Sequence, residues 1–278
     1  MRIFTLHIVD SERISLRASP HIASNARRSL SRPTNRLSGG AMNERLPMSS
    51  ETVEPPDARR PLEPLVRLHL PYYSDDRVTI YHGDSRLVLP QLTGIDAIIA
   101  DPPYNVGYNY GDGVDDRQTR QDYQGWCHSW FWWAKRLAKR IAISPGIANV
   151  GMWHAIEQPD WILCWHKPAA MGRCSFGFTN WEPVLCWGKP VNQSVDVFTA
   201  TIIPDAAVEG HPCPKPLRWG RELIERLTVE DEVVLDHFMG SGTTIVAAKY
   251  SGRRAIGIEI EERFCEMAVK RLRQGVLW

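Results

Sequence analysis

From residue 76 onward the sequence predicts an α/β domain built on a doubly wound, mixed sheet. Three observations predict it. Strand-like and helix-like periods alternate along the chain. Residues 95–100 read as an apolar run, interrupted only at Asp96, the pattern of a central parallel strand covered on both faces. Near the C-terminus a strand, the turn Gly240-Ser241-Gly242 and an apolar helix follow one another directly. The chain has 278 residues, 43% of them hydrophobic, enough for one large domain with a substantial core.

The elements follow in order. Residues 78–81 read as a short strand running into Gly83-Asp84, and 85–92 as a short helix. The run 95–100 is the next strand, and 105–124 a long polar loop. Residues 126–141 read as a helix, with Trp130, Trp133, Ala134, Leu137, Ala138 and Ile141 on one face and Lys135, Arg136, Lys139 and Arg140 largely off it. Residues 147–153, 161–165 and 183–187 are expected strands, and 188–216 is Pro-rich and irregular. Helix 218–227, strand 233–236, helix 243–250, strand 254–260 and helix 261–273 complete the pattern. There is no internal repeat.

Residues 1–60 differ from the rest. They are rich in Ser, Arg, Pro and Asn, without sustained periodicity, and are expected to be disordered, leaving 61–278 as the folded domain. The first 41 residues hold seven arginines against Asp10 and Glu12, a composition shared with transit peptides. Ser38-Gly39-Gly40-Ala41 before Met42 points instead to a translated leader, with the biological start at Met42 or Met48. The remaining chain carries 26 Lys and Arg against 30 Asp and Glu, a net of −4. Contact with a nucleic acid must therefore come from a local basic cleft and not from an overall field. The six cysteines contain no C-x-x-C pair, which argues against a zinc site; they are read as reduced thiols of a cytosolic protein. No stretch approaches the roughly 20 apolar residues that span a bilayer. Eleven tryptophans serve the core or offer stacking platforms.

Two turns carry chemistry. Glycines at 240 and 242 permit positive φ and close approach of a ligand to the backbone, with a helix N-terminus behind them. The following strand ends in Glu259, seventeen residues after Gly242, where an acid can accept from ribose hydroxyls. The pair indicates a nucleoside ligand and leaves open a nicotinamide cofactor or S-adenosylmethionine. The strand 95–100 ends in Asp101-Pro102-Pro103-Tyr104. In open α/β sheets ligands bind beyond the carboxyl ends of the strands, so this turn should line the crevice. The prolines hold the turn stiff and remove two backbone donors while keeping their carbonyls. A carboxylate beside a rigid carbonyl suits a group with two N–H donors, such as an exocyclic amine, and Tyr104 offers a face for a planar ring.

Together these residues resemble the amino-methyltransferases of DNA, which act on adenine N6 or cytosine N4. Asp101-Pro102-Pro103-Tyr104 resembles the family's catalytic motif. Asp236-His237-Phe238-Met239-Gly240-Ser241-Gly242-Thr243 resembles its S-adenosylmethionine loop. His211-Pro212-Cys213-Pro214-Lys215-Pro216 is similar to the segment before that loop, and Gly83-Asp84-Ser85 also matches. The catalytic motif precedes the cofactor loop, the circularly permuted order of the family's β group, and the likeness spans about residues 76–273. It implies a Rossmann-like methyltransferase fold and S-adenosylmethionine as cofactor, without a metal. Phe238, Gly240, Ser241, Gly242 and Thr243 would surround the methionine part, with Asp236 at the head of the loop. Glu259 would bind the ribose, Asp84 would approach the adenine amine, and Lys215 would lie near the carboxylate end. Asp101, Pro102, Pro103 and Tyr104 would be catalytic.

Two departures from the family pattern stand out. His237 replaces the usual proline, and residues 188–210 leave little room for a target-recognition domain. Recognition then falls partly on the loop 105–124, with Tyr108, Tyr110, Arg117 and Arg120, or on a second subunit. The implied partner is double-stranded DNA with its target base flipped out, and the resemblance extends to a cognate restriction enzyme. Asp at position 101 leans toward adenine, since the cytosine-N4 enzymes more often carry Ser there. The rival readings are an NAD-dependent oxidoreductase, a non-catalytic DNA-binding module, and methylation of RNA or of a protein glutamine.

Overall fold

The computed structural model describes residues 70–108, 110, 116–168, 170, 172–174, 176–202 and 214–274. The expectations for 1–60, for Met42 as start and for His211-Pro212-Cys213 lie outside them. In chain order the elements are β1 (Tyr73–Ser74), β2 (Val78–His82), α1 (Ser85–Val88), β3 (Ala97–Ala100), α2 (Arg120–Leu137), β4 (Arg140–Ile143), α3 (Val150–Ile156), β5 (Trp161–His166), β6 (Gly172–Cys174), β7 (Gly177–Thr179), β8 (Trp181–Trp187), β9 (Val197–Thr199), α4 (Leu217–Leu227), β10 (Val233–Asp236), α5 (Thr243–Tyr250), β11 (Arg254–Glu259) and α6 (Glu262–Gln274).

One mixed sheet carries the domain, in the order β1-β2-β11-β10-β3-β4-β8-β5-β9. Strands β2, β11, β10, β3 and β4 are parallel. The two neighbouring central strands send the chain in opposite directions: β3 leads through α2 to β4, and β10 through α5 to β11. That divergence is the topological switch point, where a crevice opens beyond the strand ends.

Alternation along β3 divides the core. Ala97 and Ile99 pack with Trp219, Leu223, Ile224, Ile245, Val246 and Ala268 of α4, α5 and α6. Ile98 and Ala100 pack with Cys127, Trp130, Phe131, Met152 and Trp153 of α2 and α3. The sheet is thus covered on both faces, as the apolar run predicts. Among the described residues five tryptophans are fully buried and belong to the core. Among the described residues no helix is long and apolar enough to cross a membrane.

Four expectations need correction. The strand expected at 147–153 is a 3-10 turn (Ile147–Asn149) running into α3. Gly146, at φ 69°, turns the chain, and Met152 and Trp153 are buried at helical spacing; a short apolar run does not by itself separate the two periods. The helix expected at 126–141 runs from Arg120 to Leu137, and Ile141 belongs to β4. Thr119 caps its start: the hydroxyl accepts from Asp122 N (3.2 Å) and donates to Asp122 Oδ2 (2.6 Å), a reciprocal cap legible as T-R-Q-D. Strand β3 begins at Ala97 because Asp96 turns its carboxylate to Val233 N (2.8 Å). The irregular region 188–216 contains β9, which pairs with β5.

Candidate active site

At the switch point a cavity of about 550 Å³ opens, a size typical of small-molecule sites. Asp101, Pro102, Pro103, Tyr104, Asp84, Lys215, Asp236, Phe238, Gly240, Ser241, Thr243 and Glu259 all line it. Of the predicted site residues only Gly242 does not. It stands at φ 82° as the N-cap of α5, and a Cβ there would lie 2.7 Å from Ala268 Cβ of α6. Its work is to let the loop pack on α6. Gly242→Ala should therefore cost about 2–4 kcal/mol through strain and overpacking, read as a lowered Tm.

The turn after β3 is fixed through its carbonyls. Tyr123 of α2 donates its hydroxyl to Pro103 O (2.6 Å), and Asn149 Nδ2 donates to Tyr104 O (2.9 Å). Among the described residues the Pro102 carbonyl has no assigned donor and remains able to accept. Gly146 backs the aromatic ring so closely that a Cβ would lie 2.8 Å from Tyr104 Cδ2. None of these supports was predicted. Asn149 sits in the segment expected as a strand, Gly146 immediately before it, and Tyr123 in the segment expected as loop.

The carboxylate of Asp101 is held at both ends. Its Oδ1 accepts from the Tyr104 hydroxyl (2.8 Å) and its Oδ2 from Lys215 Nζ (2.6 Å), which also donates to the Tyr104 oxygen (3.1 Å). Lys215 therefore meets the Asp101–Tyr104 turn; the resemblance implied a place for it near the cofactor's carboxylate end. Glu182 of β8 also faces the Tyr104 hydroxyl (3.4 Å) and pairs with Lys167. Burial and the charges of Asp101 and Glu182 push the Tyr104 phenol above its ordinary value, so the hydroxyl stays protonated.

The glycine loop is tied to the sheet by its acids. Glu259 Oε2 accepts from Gly240 N (2.7 Å) and Oε1 from Glu261 N (2.8 Å), leaving further lone pairs for a ligand hydroxyl. Asp236 Oδ1 accepts from Phe238 N (3.0 Å). From α6, Arg271 donates to Ser241 O (2.8 Å) and Thr243 Oγ1 (3.2 Å), and the Thr243 hydroxyl donates to Lys215 O (3.0 Å). Phe238 and Trp126 form an aromatic wall, with ring centroids 5.4 Å apart. Asp84 caps α1 and pairs with Arg86 (2.6 Å). His237 is buried against Trp130, and burial pushes its imidazole down to about 3, so it is neutral.

Burial pushes the Asp236 carboxyl up to about 7, with Asp101 and Glu259 adding to the rise, and burial also raises Glu259. Because the folded pKa of Asp236 exceeds its unfolded value, the native state binds the extra proton between about pH 4 and 7, and stability falls as pH rises through that window. Asp236→Asn keeps an acceptor for Phe238 N without the charge. Its Tm should exceed that of the unaltered protein at pH 8, and the gap should close toward pH 4.

After Tyr104 the loop folds around Asp116. This buried carboxylate accepts from Asn105 N (2.6 Å), Val106 N (3.1 Å) and Tyr108 N (2.7 Å), and brings Val106, Tyr108 and Tyr110 to the cavity rim. Arg117 and Arg120 are exposed outside it.

A family model described as DNA methylase matches residues 177–270. The Type II methyltransferase M2.LlaDCHI of Lactococcus lactis subsp. cremoris is 28% identical over 255 residues, which span 75% of this chain and 94% of that protein. Among solved structures, PvuII DNA methyltransferase, a cytosine-N4-specific enzyme, shares the fold with a TM-score of 0.59 at 17% identity, over 72% of this chain and 87% of that one. The M1.HpyAVI–SAM complex aligns with a TM-score of 0.54 at 24% identity, over 70% and 98% of the two chains. The Asp101–Tyr104 turn and the glycine loop thus meet in one cavity of a fold that the chain shares with solved DNA methyltransferases, and its sequence is similar to theirs.

Proposed function

We propose that this DNA methyltransferase uses S-adenosylmethionine to methylate the exocyclic N6 of adenine. The observation that carries the reading is the meeting of Asp101 and the open Pro102 carbonyl with the glycine loop across one cavity. The cofactor supplies a methyl group on a positively charged sulfur. The cavity suits such a ligand. Asp84, Asp101, Glu182, Asp236, Glu259 and Glu261 line it, and burial raises Asp236 and Glu259, so a cation there gains where a pyrophosphate would be repelled. This weighs against a dinucleotide cofactor.

The residues divide the work. Glu259 accepts from the ribose hydroxyls, and Phe238 and Trp126 wall the cofactor. Asp84 closes one end. Asp101 and Pro102 O each accept one hydrogen of the target amine, which turns its lone pair toward the methyl carbon. That lone pair would take the methyl group that the bound cofactor supplies, and the nitrogen would then give up one proton to solvent. Tyr104 stacks on the extruded base, recovering roughly 1–3 kcal/mol of the unstacking cost. Most of the acceleration is orientation and charge placement.

The chain 61–278 acts as the catalytic domain, with the loop folded on Asp116 and residues 188–210 contributing to recognition of DNA. The choice of adenine rests on Asp at position 101. Titration with S-adenosylmethionine and with NAD, followed by incubation with DNA and methyl-labelled S-adenosylmethionine, tests the reading. Saturable binding of the first ligand and label in DNA is expected; binding of NAD alone would overturn it.

A further inference from the structure

The carboxylate expected to receive the target amine is already engaged. Lys215 occupies Asp101 Oδ2, and the Tyr104 hydroxyl gives its single hydrogen to Oδ1 (2.8 Å). Each oxygen keeps a second lone pair, but an amine hydrogen is held more strongly by an oxygen that it does not share with another donor. A phenol has one hydrogen and can rotate it about the Cζ–O bond, so it serves one acceptor at a time. A second acceptor stands within reach. Glu182 Oε2 lies 3.4 Å from the same oxygen, on the cavity wall and on a different strand from Asp101. Its other oxygen, Oε1, is tied to Lys167, and both side chains of that pair are largely withdrawn from solvent, at 21% and 11% exposure. Burial alone would raise the Glu182 carboxyl, but Lys215 and Lys167 more than offset it, so an ionised acceptor waits there. Lys215 stays beside the phenol oxygen in either arrangement, since it donates to that oxygen and not to its hydrogen.

We propose that Glu182 is a positioning residue for methyl transfer: held in place by Lys167, it receives the Tyr104 hydroxyl when the target amine arrives and thereby frees Asp101 Oδ1. The inference rests on the amino-methyltransferase reading above, and goes beyond it by giving β8 a part in the reaction. Its consequence is an unusual epistasis. Without Glu182 the hydroxyl has no alternative acceptor and stays on Asp101, so the step slows. Removing the hydroxyl itself should then relieve the block.

Single-turnover transfer of a labelled methyl group to DNA tests this, with S-adenosylmethionine affinity measured calorimetrically on each protein. Glu182→Met should slow transfer about tenfold, the scale of one charge-assisted hydrogen bond, with cofactor affinity unchanged. Tyr104→Phe is the reference background, whatever its own rate, and adding it to Glu182→Met should restore the rate to that of Tyr104→Phe alone. Because Glu182→Met leaves Lys167 without its partner, Lys167→Met/Glu182→Met, which removes both charges, is measured alongside and should show the same slow transfer and the same relief. An equal fold-loss from Glu182→Met with and without the Tyr104 hydroxyl, or no loss at all, would overturn the inference while leaving the methyltransferase reading intact. If the unaltered protein binds the cofactor yet transfers no label, both fall.

Discussion

Asp101→Ala is expected to lower methyl transfer to DNA by about 10²–10³-fold or more while S-adenosylmethionine still binds. The size follows from the role. A preorganised charge aimed at the reacting group commonly contributes that much, because it acts where solvent is excluded and needs no reorientation during the reaction. The loss belongs in the transfer step, since Asp101 sits at the end of β3 and the glycine loop at the end of β10, each held by its own contacts. Some loss of stability is expected as well, because Lys215 is largely buried. Lys215 loses its partner at 2.6 Å but keeps the Tyr104 oxygen at 3.1 Å. Thermal melts with calorimetric titration separate these effects from the rate. An alanine variant with an undiminished transfer rate would remove Asp101 from the reaction.

Tyr104→Ala should produce the second large effect, retaining cofactor binding and losing most transfer. The ring supplies a stacking surface worth roughly 1–3 kcal/mol to an extruded base. Its loss also empties the seat formed by Gly146 and leaves Asp101, Glu182 and Lys215 without their shared hydroxyl. DNA containing a mismatch at the target should recover part of the activity, because the base then costs less to unstack. Full activity in Tyr104→Ala would reduce the turn to a strand terminator.

The elements that position the site were largely legible. Residues 95–100, 233–236 and 243–250 carry strong signals: mainly apolar stretches, two of them opening directly after a Gly, with no competing period. Strand 233–236 and helix 243–250 occur at those residues, and β3 falls short of its run only because Asp96 caps the neighbouring strand. The motif residues were legible for a different reason. Asp101 to Tyr104, Asp84, Lys215 and Glu259 are types whose chemistry restricts where they can stand. What stayed hidden is what holds them. Tyr123, Asn149, Gly146 and Arg271 act through one or two hydrogen bonds or a close approach across the fold, and no local pattern marks such a partner. Glu182 is the clearest case: on β8 it reads as an ordinary polar residue between Trp181 and Pro183, and only the antiparallel register of β4, β8 and β5 brings it to the Tyr104 hydroxyl. Lys215 was legible as a site residue, but its partner was not, since 114 residues separate it from Asp101.

The choice between adenine and cytosine rests on Asp101, and the product nucleoside decides it. DNA treated with the protein and methyl-labelled S-adenosylmethionine is digested to nucleosides and separated by mass spectrometry. The expected result is label in N6-methyladenine, abolished by Asp101→Ala. Label in N4-methylcytosine, or label in N6-methyladenine that survives Asp101→Ala undiminished, would contradict it.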